Sequence, residues 1–126
     1  MIIITGGACQ GKRDYALERF GFAPQDVHYC SQESLPDFSK PCLCGLHLYL
    51  LGALERGEDP VEYIQANLEA LKDSVILCDD ICSGIVPITP QERRWRDAAG
   101  RVMQLLCREA QEVTRLFCGI PQTIKG

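Results

Sequence analysis

The residues best suited to chemistry stand close to the N-terminus. Gly6 and Gly7 are followed by Ala8-Cys9-Gln10 and then Gly11-Lys12, the G-x-x-x-x-G-K spacing of a phosphate-binding loop. Glycines let such a loop curl so that successive amides converge on a phosphate, and the helix behind it adds its positive end. Lys12 would then reach the β- and γ-phosphates. Gly6, Gly7, Ala8, Cys9, Gln10, Gly11, Lys12 and Arg13 are thus the candidate nucleotide-binding residues. Arg13 breaks the pattern, since a Ser or Thr hydroxyl at that position normally ligates Mg²⁺. The competing reading is a glycine-rich turn with a solvated lysine.

A second set of candidates follows Ser74-Val-Ile-Leu-Cys78, an apolar run that ends in Asp79-Asp80. A buried strand delivering a carboxylate at its C-terminal end is how nucleotide folds hold Mg²⁺, directly or through water. Asp79 and Asp80 are therefore candidate metal ligands, with a solvated acidic turn as the alternative. Arg93, Arg94, Arg96 and Arg101 cluster further on and could hold phosphates. Arginines on a helix more often form a solvated face. His47 lies inside an apolar run, where a lone histidine is more often part of the core than a catalyst.

The 8 cysteines are scattered without a C-x-x-C pair. They read as reduced thiols used as small core hydrophobes rather than as zinc ligands. Cys9 differs by position, because a lysine and a helix N-terminus beside it could lower its pKa and make it reactive.

These residues need elements to hold them. Ile2-Ile-Ile4 is a β-branched run suited to a strand buried on both faces. Ala16, Leu17 and Phe20 keep a helical period up to Gly21, a fitting stop. A short strand is expected at 27–30, a loop over 31–42, and a helix from Cys44 to Leu54. Asp59-Pro60 starts another helix, whose apolar period runs through Val61, Ile64, Leu68 and Leu71. Thr89-Pro-Gln-Glu92 is a capping box for a long helix, and 113–118 reads as a strand followed by a tail. Strands alternating with helices predict an α/β fold like that of phosphate-loop NTPases, a mainly parallel sheet with helices on both faces. Ligands of such folds sit at the carboxyl ends of the strands.

The chain has 126 residues, a net charge of −4 and no linker-like stretch. One nucleotide-binding domain over 1–126 is expected. The negative charge argues against non-specific nucleic-acid binding. No apolar run reaches membrane-spanning length and no export leader is visible, so a cytoplasmic location without a membrane partner is expected.

Asp79-Asp80-Ile81-Cys82-Ser83-Gly84-Ile85-Val86-Pro87 resembles the N-E-V-G-x-G-I-V-P signature of the adenosylcobinamide kinase / adenosylcobinamide-phosphate guanylyltransferase family. Arg93-x-Trp95-Arg96-Asp97-x-x-Gly100-Arg101-Val102-x-Gln104 is similar to its R-x-F-R-D-x-x-G-R-V-N-Q. Thr5-Gly6-Gly7-Ala8 resembles the opening of its phosphate loop, and Gly119-Ile120-Pro121 with Lys125 resembles its ending. The resemblance implies ATP or GTP with Mg²⁺, phosphorylation of the cobinamide hydroxyl, and a homo-oligomer, a trimer. It assigns catalytic parts to Lys12, Asp80, Arg96 and Arg101.

Departures from the family pattern shape the expectation. The family loop ends G-K-S, and this chain has Gly11-Lys12-Arg13. The family is longer in the middle, where it carries the histidine that takes the guanylyl group and a second acidic strand end. Leu43-Cys-Gly-Leu-His-Leu-Tyr-Leu50 is similar to the family's L-D-C-L-T-L-W-L, with Cys44 at the acidic position. Loss of the guanylyltransferase step is expected, and a non-catalytic nucleotide-binding or regulatory relic is the alternative.

Overall fold

The computed structural model describes residues 1–8, 11–81 and 89–126. Cys9, Gln10 and the stretch Cys82 to Ile88, which holds most of the first family signature, lie outside the described residues.

Six strands form one sheet in the order β2-β3-β4-β1-β5-β6. The isoleucine run gives β1 (Ile2–Gly6) in the centre, parallel to β4 (Val75–Asp79) on one side and to β5 (Glu112–Phe117) on the other. Helices cover both of its faces, so it needs apolar residues on each, and Ile3 and Ile4 are fully buried in the two cores. Four helices follow the expected signals. α1 (Lys12–Phe20) ends at Gly21 in the left-handed conformation. α2 spans Leu46–Glu55, and α3 (Pro60–Ala66) is capped by Asp59 Oδ1, which accepts from the Val61 and Glu62 amides at 3.1 and 3.2 Å. The helical period past Val61 is interrupted at Asn67, so a short α4 (Leu68–Leu71) stands apart. The long helix α5 (Pro90–Glu109) begins at Thr89, whose Oγ1 accepts from the Glu92 amide at 3.1 Å.

Helices cover both faces of the sheet. Leu46, Tyr49 and Leu50 of α2, Ile64 of α3 and Ala99, Val102 and Leu106 of α5 pack with Ile3, Leu43 and Ile76 in one core. Ala16 of α1, with Leu17 and Phe20, packs with Ile4, Val75, Leu77 and Leu116 in the other.

Two strands fall where the sequence predicts none. β3 (Cys42–Cys44) occupies the end of the expected loop and the start of the expected helix, parallel to β2 (Val27–Tyr29) and β4. The expected C-terminal tail is β6 (Ile120–Lys125), antiparallel to β5. Pro121 is tolerated there because β6 is the sheet edge, where no second neighbour needs its missing N–H. Cys118 and Gly119 have φ of 51° and 77°, the left-handed pair that a tight hairpin turn requires. Lys125 Nζ then donates to the Cys107 and Arg108 carbonyls at 3.0 and 2.9 Å, closing the end of α5.

Candidate functional site

β1, β3 and β4 all end on the same edge of the sheet, and the phosphate loop leaves from β1, beside β4. Gly6 has φ 147°, and a Cβ there would lie 2.5 Å from the Leu116 carbonyl oxygen. Only glycine lets the chain turn out of the sheet this close to β5. Gly11, at φ 90°, then enters α1, and among the described residues no side chain caps that helix, in contrast to the capped α3 and α5.

Lys12 is folded back over the loop. Its Nζ donates to the Gly7 carbonyl at 2.7 Å and the Gly6 carbonyl at 3.4 Å, and pairs with Asp79 Oδ1 at 2.7 Å. The residue is only 8% exposed. A buried ammonium needs this many acceptors to offset its desolvation.

Asp79 is held from its other side by His47. The Asp79 amide donates to His47 Nδ1 at 3.2 Å, and His47 Nε2 faces Asp79 Oδ2 at 3.5 Å. Since Nδ1 accepts, the ring proton belongs on Nε2, aimed at the carboxylate. The His47 carbonyl in turn accepts from Trp95 Nε1 of α5 at 2.8 Å. Burial lowers the His47 pKa, with nearby Lys12 acting in the same sense and Asp79 opposing them. His47 is partly buried, its side chain 12% exposed, and it braces a site residue. The sequence missed this because the signal is the β3–α2 turn, which brings the first turn of α2 over the end of β4.

Lys12, Arg13, Asp79 and Cys44 line one open hollow of about 460 Å³, rimmed by the exposed ring of Tyr29. Burial, then the Asp79 charge, raises the Cys44 pKa, so the thiol stays protonated. Arg13 stands at the mouth with its side chain 58% exposed, its Nε 3.9 Å from Asp14 Oδ1. Beyond Asp79 lies a second cavity of about 390 Å³, bounded by Thr5, Asp79 and Asp80 and walled mainly by Ile81, Ala99, Met103, Cys107, Val113 and Ile124. The Asp80 amide donates to the Gly6 carbonyl at 2.8 Å, tying this carboxylate's backbone to the base of the phosphate loop.

The two candidate arginines fall differently. Arg96 is half-buried on α5. Arg101 is exposed and borders a third cleft with Arg94, Glu58 and Asp59, away from the hollow that Lys12 lines.

Residues 42–124 match the sequence model of the family described as cobinamide kinase / cobinamide phosphate guanyltransferase. The chain belongs to that family. A curated relative is the bifunctional adenosylcobalamin biosynthesis protein CobU of Salmonella typhimurium, 26% identical over 180 aligned positions that span 99% of each chain. That alignment is longer than this 126-residue chain, so it crosses gaps. The cobinamide kinase / guanyltransferase family consists of phosphate-loop NTPases of cobalamin biosynthesis, transferases that use ATP or GTP, and the mainly parallel α/β sheet here agrees with it. The matched stretch takes in β3, β4 and α5 with Cys44, His47 and Asp79, and begins after the phosphate loop. No helix among the described residues is long and apolar enough to cross a membrane.

Proposed function

We propose that this chain binds ATP or GTP by its phosphates in the hollow beside Lys12 and transfers the terminal phosphoryl group to the hydroxyl of cobinamide. The observation that carries this is Lys12, held by the Gly6 and Gly7 carbonyls and Asp79 at the carboxyl edge of the sheet, next to an uncapped helix start. An incoming polyphosphate offers the ammonium more negative charge than one carboxylate does, and draws it off Asp79. Gly6, Gly7, Ala8, Cys9, Gln10 and Gly11 supply the amides that cradle the phosphates. Lys12 then offsets charge on the transferred group.

The neighbouring apolar cavity accepts the hydroxyl-bearing arm of the acceptor. Asp80, at its mouth, orients that hydroxyl towards the nucleotide. Arg96, half-buried on α5, is assigned the assisting role, while the exposed Arg101 borders a separate cleft. We assign the guanylyltransferase step as lost, because neither His28 nor His47 is free to take a nucleotide. His47 braces Asp79, and His28 is set in β2 with its Nε2 buried. The chain assembles as a homo-oligomer, a trimer on the family pattern.

A non-catalytic nucleotide-binding role is the second reading, favoured by Arg13 in place of the hydroxyl residue. Incubation with γ-labelled ATP or GTP and adenosylcobinamide distinguishes them. Labelled cobinamide phosphate is the expected product, and nucleotide binding without transfer selects the second reading.

Mg²⁺ is the ion that nucleotide chemistry of this kind brings with it, to be held by Asp79 and Asp80. The residues here suit it poorly. Both Asp79 oxygens already face donors, Lys12 at 2.7 Å and His47 at 3.5 Å. The adjoining strand end offers a protonated thiol, a soft ligand for a hard cation. The position after Lys12 offers a guanidinium.

A further inference from the structure

We propose that Arg13 takes the place of the divalent cation, so that the hollow binds a nucleoside polyphosphate as the metal-free anion. The inference rests on the phosphate-site reading and gives that site its ligand form. Arg13 occupies the first turn of α1 directly after the buried Lys12, and both line the same hollow. The side chain is 58% exposed, and its ion-pair partner Asp14 is 83% exposed at 3.9 Å. Such a pair is weak and solvent-screened, so it costs little to exchange Asp14 for a phosphate. A guanidinium reaches two phosphate oxygens at once with charge-assisted bonds, which a hydroxyl at this position could not do without a metal.

The acidic side of the hollow supports the same assignment. Its buried-side carboxylate, Asp79, is committed to Lys12 and His47, and the strand end beside it carries Cys44. A divalent cation entering here would sit near the Lys12 ammonium and the Arg13 guanidinium, with Asp79 already shared and Asp14, the other carboxylate of the hollow, largely in solvent. A polyphosphate entering here meets an ammonium, a guanidinium and the uncapped amides of α1.

Calorimetric titration of the full chain with ATP, GTP and inorganic tripolyphosphate, each in EDTA and in excess Mg²⁺, tests this. The expected result is binding in EDTA, with Mg²⁺ tightening it by no more than about threefold. Tightening beyond threefold overturns the proposal while leaving the phosphate site standing. Arg13→Ser is expected to weaken binding in EDTA by at least tenfold, with Arg13→Lys recovering only part of that loss. Arg13→Ser binding metal-free nucleotide as well as the parent overturns the proposal. If none of the three anions binds in either condition, the phosphate-site reading falls and this inference falls with it. Arg13 is exposed on a helix, so melting curves of both variants are expected to match the parent.

Discussion

Two hollows share the Asp79 wall, and they are built on opposite principles. On the loop side, Lys12, Arg13 and Asp79 present charge, with amides of α1 left uncapped. On the α5 side, Met103, Cys107, Val113 and Ile124 give a mainly apolar wall, with Asp79, Asp80, Gln104 and Arg115 as its polar members. The charged hollow is specified by a few residues within one loop and helix turn. The apolar one needs β4, β5, β6 and α5 to come together before it exists. In the proposed transfer, the nucleotide would lie on the charged side of Asp79 and the hydroxyl acceptor on the other.

The comparison can be broken most sharply at Lys12. A ligand at 100 times its Kd adds about 2.7 kcal/mol of stability, and Lys12→Ala is expected to abolish that gain for ATP and GTP in thermal melts. Binding of cobinamide, followed by its absorbance, is expected to survive. Met103→Trp is the converse test. A bulky ring in the apolar cavity is expected to weaken cobinamide binding about tenfold, the order set by roughly 1.4 kcal/mol of lost contact. Nucleotide affinity is expected to stay unchanged; a parallel loss would show that the two hollows are one.

The shared wall is probed at His47. His47→Ala leaves the Asp79 amide without its acceptor, a loss of about 1–3 kcal/mol in denaturant unfolding. His47→Asn, whose amide oxygen can stand where Nδ1 does, is expected to recover much of it. The smallest effect is on pH. Burial holds the folded His47 below its ordinary value of 6.5, so the unfolded chain takes up the proton first as the solution is acidified. Its contribution is then complete above that ordinary value and is lost as pH falls through the lower folded one. Melting curves across this range should show the decline in the parent and a shallower one in His47→Asn.

The charged hollow was largely legible in the sequence and the apolar one was not. Gly6, Gly11 and Lys12 announce themselves by spacing, and β1 and β4 by continuous branched runs that only a buried strand tolerates. The pairing of Lys12 with Asp79 follows once both are placed at the carboxyl edge. β3 was hidden because it is three residues long, cysteine-rich and preceded by Pro41. β6 was hidden because Pro121 and full exposure remove the alternation that marks a strand. With β6 unseen, Ile124 could not be placed in the cavity wall. Arg101 illustrates a different limit, since a cluster of arginines along a helix does not reveal which turn faces the ligand.

Gly6 rests directly against the Leu116 carbonyl, and this contact orders events in time. β1 precedes both of its sheet neighbours in the chain, β4 at 75–79 and β5 at 112–117. The bend after β1 cannot take its final shape until β5 has docked beside it. A loop whose own residues are all local therefore depends on one distant strand, and chains truncated before Glu112 are expected to show no ligand-dependent protease resistance.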